Sequence, residues 1–143
     1  MTPENGVSRP LRDFFYSLVR ALRQMAVRYW PRKPRFPIII DTGRGLIGAV
    51  SGSDCAKRMD QLGPFDSDDL MHVIDSTSEG FGFYPRMMLI SPLTTKKRWA
   101  KADVIALYND RKNPDTPDYR PRSLSNRGFD RVVHELVQLL RET

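Results

Sequence analysis

The sequence is poor in the residues that carry most metal and redox chemistry. It has one cysteine, Cys55, and two histidines, His72 and His134. A lone cysteine forms no disulfide within the chain and builds no cysteine-based zinc site. That usage fits a reducing compartment, so a cytoplasmic location is expected. No apolar run approaches the ~20 residues that cross a bilayer. A secretory signal is not expected either, because the first apolar stretch is broken by arginines and has no small-residue cleavage site. Internal repeats and low-complexity tracts are missing, as are zinc-finger and RRM motifs. The thin acid–base inventory points away from an enzyme, and no metal or cofactor is expected.

What the chain does have is an uneven distribution of charge. Its 143 residues carry a net charge of +6. Residues 1–37 hold eight Arg or Lys against Glu4 and Asp13, and so account for the whole excess. Residues 38–143 hold 15 basic and 15 acidic residues and are neutral. A length of this order predicts one globular domain with a real core. The expected organisation is a basic N-terminal helix and Pro-rich linker over 1–37, then a body over 38–143.

Hydrophobic periodicity predicts a helix from Pro10 to Trp30. At steps of about 100°, Leu11, Phe14, Phe15, Leu18, Leu22, Met25, Ala26 and Tyr29 share one arc. Arg12, Arg20, Arg23, Gln24 and Arg28 fall opposite. Pro31 ends the helix, and Pro31 to Pro37 reads as an extended linker. Strands are predicted at Phe36–Asp41, Leu46–Val50, Leu70–Asp75, Phe81–Tyr84, Met87–Ile90 and Val104–Tyr108. The first two form a hairpin through Gly43-Arg44-Gly45. A short helix follows with Ser53 as its N-cap and Gly63-Pro64 as its stop. Phe65–Asp69 is an acidic loop, and Asn109–Asn126, with three prolines, reads as an exposed loop. Its length marks it as either disordered or a contact surface. The last helix carries a continuous stripe of Phe129, Val132, Val133, Leu136, Val137, Leu139 and Leu140. These elements predict an α+β fold. A mainly antiparallel sheet of four to six strands carries N-terminal, central and C-terminal helices on one face.

The most enzyme-like stretch is Ile38-Ile-Ile-Asp41-Thr42-Gly43, whose last three residues match the active-site tripeptide of retroviral-type aspartic proteases. Such proteases need a second aspartate sharing one proton. They also place a small residue where this chain has Arg44, and need a late hydrophobic-hydrophobic-Gly segment that this chain lacks. A hairpin turn is therefore the favoured reading, with an enzyme using Asp41 as the remote alternative. A phosphate loop fails, because Gly43-Arg44-Gly45 leads into a strand and no Gly-Lys-Ser/Thr follows. His72, near Asp68, Asp69 and Asp75, is favoured as a strand residue beside an acidic loop rather than a metal ligand. Cys55 is favoured as a small core residue, and His134 as a solvated one.

The basic segment comprises Arg12, Arg20, Arg23, Arg28, Arg32, Lys33 and Arg35. Its helix either covers the sheet, lies on an anionic membrane surface, or contacts nucleic acid through phosphates.

Residues 45–93 carry a short helix ending Leu62-Gly63-Pro64, followed by antiparallel strands. This pattern resembles small immunity proteins of bacterial polymorphic-toxin systems. The resemblance implies a small, non-enzymatic protein that binds one cognate toxin and blocks it. The expected activity is thus binding of a protein partner, as an inhibitor or immunity protein. Candidate contact residues are Arg44, Asp66, Asp68, Asp69, Trp99, Tyr119, Arg120 and Arg122, since Arg and aromatic anchors dominate interface energetics. A membrane- or nucleic-acid-associated regulator acting through residues 10–35 is the alternative.

Overall fold

In a computed structural model of the chain, the residues described are 10–15, 17–18, 27–62, 70–93, 95 and 98–142. Helix α1 is described at residues 10–15 and 17–18. The elements that follow are β1 (Arg28–Tyr29), β2 (Ile38–Asp41), β3 (Leu46–Ala49) and α2 (Gly52–Gln61). Then come β4 (Met71–Ile74), β5 (Gly80–Tyr84), β6 (Leu89–Pro92), α3 (Lys101–Arg111) and α4 (Phe129–Glu142). The strands form one six-stranded sheet in the order β1-β6-β5-β4-β2-β3. Every pairing is antiparallel except β1 on β6. The fold class is α+β, with a mixed and mostly antiparallel sheet.

The sheet is covered on both faces rather than one. Side chains alternate along a strand, so a strand buried on both sides must be apolar at every position. Ile38-Ile39-Ile40 meets that demand, and all three are at most 1% exposed. Ile38 and Ile40 join Ile47, Val73, Phe81, Phe83 and Ile90 in a first core under Cys55 and Met59 of α2. Ile39 and Ile74 join a second core with Val104 and Tyr108 of α3 and Val132, Val133, Leu136 and Val137 of α4. Gly48 permits the close approach of α4 to β3: a Cβ there would sit 3.0 Å from the Val137 Cα.

Three further expectations need correction. Val104–Tyr108 is the middle of α3, not a strand. A short apolar run does not distinguish the two by itself. Here Val104 and Tyr108, four apart, are the buried pair, while Ala102 and Ala106 favour the helix. The helix expected to reach Trp30 does not, since Arg28 and Tyr29 lie in β1, with the Arg28 N–H donating to the Met88 carbonyl at 2.8 Å. The rest of that expected helix, residues 19–26 with Arg20 and Arg23, lies outside the described residues. The N-cap of α2 is Ser51, not Ser53: its hydroxyl accepts from the Asp54 N–H at 3.1 Å. The predicted stop at Gly63-Pro64 lies outside the described residues.

Two polar devices lock the layers together. The Asp75 carboxylate is buried and accepts four hydrogen bonds, from the N–H groups of Arg35, Thr77 and Glu79 and from the Thr77 hydroxyl, at 2.7–3.0 Å. It shapes the β4–β5 turn and fastens the proline-rich linker to it. At the outer end of the sheet, Asp54 of α2 accepts from the Val50 N–H at 3.0 Å and pairs with Arg58 and with Arg141 of α4. Helices on opposite faces are thereby joined past the end of edge strand β3. Burial acts to raise the Asp54 carboxyl, but the Val50 N–H, Arg58 and Arg141 outweigh it and hold the group below its usual value.

Candidate functional site

The enzyme-like tripeptide is a turn in this structure. Asp41 ends β2 and accepts from the Gly43 N–H at 3.1 Å, while its other oxygen pairs with Arg111 of α3 at 3.3 Å. Thr42 closes the hairpin, its N–H and hydroxyl both donating to the Gly45 carbonyl at 3.0 and 2.8 Å. Gly43 and Gly45 both have positive φ, which costs glycine little. Arg44 rides on this turn and reaches the Leu62 carbonyl at 3.4 Å.

His72 is exposed on β4, directly across from Asp41. Asp75 sits three residues on and is committed to the β4–β5 turn. Among the described residues no group of three or more His, Cys, Asp or Glu is arranged to hold a metal. Asp66, Asp68 and Asp69 lie outside the described residues. The Cys55 thiol is buried, and burial followed by the charge on Asp54 pushes its pKa up to about 12. It therefore stays protonated near neutrality. His134 lies on the exposed side of α4 and donates from Nδ1 to the Asp130 carbonyl at 2.7 Å. It borders a 370 Å³ depression lined by Pro37, Val50, Val137, Gln138, Arg141 and Glu142.

The segment between α3 and α4, residues 112–128, has no regular secondary structure yet is tied at several points. Asn109, in the last turns of α3, holds the Tyr119 backbone twice: Oδ1 accepts from its N–H at 2.8 Å, and Nδ2 donates to its carbonyl at 3.2 Å. The Tyr119 hydroxyl donates to Glu135 of α4. Glu135 also receives Arg127, and Arg131 at 3.2 Å. Lys101 Nζ donates to the carbonyls of Leu124 and Arg127, both at 2.8 Å. Lys112 pairs with Asp118 at 3.1 Å, and Asp118 with Arg120 at 3.1 Å.

These contacts leave a protonation signature. Burial and then the Glu135 hydrogen bond raise the Tyr119 pKa to about 12. The Tyr119 hydroxyl in turn holds the Glu135 carboxyl low, against an opposing effect of burial and with help from Arg127 and Arg131. Hydrogen bonds from Lys112 and Arg120 hold the exposed Asp118 below its ordinary value.

Tyr119 and Leu124 pack against the second core from this loop, as does Trp99 just before α3. Tyr119 and Trp99 are thus half-buried supports rather than free anchors. Arg120 and Arg122 are exposed. The Asp41–Arg111 pair brings the Arg44 turn to the root of the same loop. Sequence reasoning named Tyr119, Arg120 and Arg122 but missed Lys101, Asn109 and Glu135, the groups that give the loop its shape. Their partners in the loop lie 8–26 residues away, and no local pattern marks those pairings.

The basic segment divides in two. Arg32 is paired with Glu79 and lies 5.3 Å from the centre of the Phe81 ring. Lys33 stands 5.6 Å from the rings of both Tyr29 and Phe36, and Arg28 donates to the Met87 carbonyl at 2.9 Å. Arg12 and Arg35 are exposed. Among the described residues of α1, Leu11, Phe14, Phe15 and Leu18 are 58%, 65%, 61% and 46% exposed. Among the described residues no helix is long and apolar enough to cross a membrane. Comparison with family models, curated proteins and solved structures yields no match.

Proposed function

We propose that the protein is a non-catalytic module that binds another protein through the rigid loop 112–128 and the adjoining Arg44 turn. The observation that carries this reading is the tethering of the loop. A long segment without secondary structure in a small domain is either unfolded or functional. Six hydrogen bonds from Lys101, Asn109, Tyr119 and Arg127 give this one a fixed shape. A loop held in advance loses little entropy on docking, which is how small binding proteins reach high affinity. Arg120 and Arg122 stand outward beside Pro121, and arginine is among the residue types that dominate interface energetics.

The sharper form is an immunity-type inhibitor that occludes a cognate toxin. The small α+β body and the helix-to-strand pattern at 45–93 support it. The test is capture on the tagged chain in high salt, comparing wild type with Arg120→Ala/Arg122→Ala. One stoichiometric protein held by the wild type and lost by the double variant supports the reading. If that protein's activity is also blocked on binding, the inhibitor form stands. Equal retention by both chains would remove the loop from the interface.

A further inference from the structure

We propose that α1 is an interfacial anchor that lays its apolar face on an anionic lipid bilayer and so presents the body at a membrane surface. Leu11, Phe14, Phe15 and Leu18 follow i, i+3, i+4, i+7 spacing, which aligns them on one side of a helix. All four are about half exposed or more, so much of their apolar surface faces solvent. Arg12 stands off this stripe and is exposed. A helix with an apolar stripe, aromatic rings within it and an arginine beside it matches the layered chemistry of a bilayer interface, with hydrocarbon below and phosphate alongside.

Charge complementarity selects the occupant. The entire +6 excess lies in residues 1–37, while the body is neutral. An anionic surface therefore attracts this end of the molecule and is indifferent to the rest. Trp30, 70% exposed among Arg28, Arg32, Lys33 and Arg35, adds a ring of the kind that settles at the headgroup level. Nucleic acid would use the arginines but leave four large apolar side chains in water. Among the described residues no spanning helix competes with surface binding.

The experiment is flotation of the full chain with vesicles of phosphatidylcholine alone or containing phosphatidylserine. The expected result is binding to the anionic vesicles only, weakened by raised salt as screening shortens the reach of the charges. Phe14→Glu/Phe15→Glu is expected to weaken binding at least about tenfold, because two rings no longer enter the interface. Arg120→Ala/Arg122→Ala is expected to float like wild type. Circular dichroism of each variant checks that the body remains folded. No flotation with anionic vesicles overturns the proposal, as does equal flotation of the Phe14/Phe15 variant. A wild-type dimer in sedimentation that the same variant dissociates would also overturn it, in favour of a second copy on this face. Retention on single-stranded DNA that ignores the Phe14/Phe15 change, without flotation, would overturn it in favour of nucleic acid.

Discussion

The two segments of greatest functional interest invert the usual relation between regular structure and order. Loop 112–128 has no regular elements, yet its side chains and carbonyls are fastened to α3 and α4. Helix α1 is regular, yet its described apolar side chains, Leu11, Phe14, Phe15 and Leu18, are about half exposed or more. Backbone hydrogen bonding inside a helix satisfies the chain locally, but most helical stability in proteins comes from packing the apolar face. The loop obtains from long-range side-chain bonds what it cannot obtain from a repeating backbone. Regular structure is therefore a poor guide to which segment belongs to the body. Tethering is the better one.

The strongest way to break the comparison is to melt the body. Leu136 is fully buried in the second core, so Leu136→Ala should cost about 2–5 kcal/mol in urea unfolding. The protection of the Tyr119 amide against hydrogen exchange should fall with it, because the loop hangs on α3 and α4. Unchanged protection at Tyr119 would mean that the loop holds itself together without them.

Next is the acid limb. The Glu135 pKa is lowered by folding, so its contribution is complete above the ordinary carboxylate range and is lost as pH falls through the lower folded value. Tyr119 runs the other way. Raised to about 12, it stabilises fully below its ordinary value near 10 and loses that contribution as pH climbs toward 12. The loop should therefore resist proteolysis from mildly acidic pH to about pH 10. Glu135→Gln should lower stability at pH 7 by about 1–2 kcal/mol and flatten the acid limb. An acid limb of unchanged steepness would assign it to Asp54 and Asp118 instead.

Tyr119→Phe keeps the ring and removes one donor, so about 1 kcal/mol is expected, with faster cleavage in 112–128 as the more sensitive readout. The smallest effect belongs to the helix. Phe14→Ala/Phe15→Ala should change the stability of the body by less than about 0.5 kcal/mol, as surface substitutions do. A loss of more than ~1 kcal/mol would show that the body covers that face in solution.

The sequence was legible where burial imposes a period. Ile38-Ile39-Ile40, the alternation around Val73, and the stripe of α4 announced their elements, and the β2–β3 hairpin was marked by Gly43 and Gly45. It was opaque where an element borrows its identity from elsewhere. β1 is two residues long and exists only because β6 lies beside it, so its residues continue a helical pattern on paper. α3 hides because Val104–Tyr108 is short and mostly apolar. The coverage of both faces follows from the return of α2 over one side, which no local pattern encodes. For the candidate site the split is similar. Exposed arginines can be named from composition, but the juxtaposition of Asp41, His72 and Arg111 arises from pairing across 31 and 70 positions.

The Asp54–Arg141 bridge has a consequence for life in a crowded solution. Strand β3 ends the sheet, and an open strand edge invites neighbouring chains to add themselves. The first backbone donor beyond that strand, the Val50 N–H, is already taken by Asp54, and Arg141 straps the two flanking helices across the same corner. Arg141→Ala removes that strap while Asp54 keeps the Val50 N–H, and light scattering at high protein concentration is expected to show the loss as increased association.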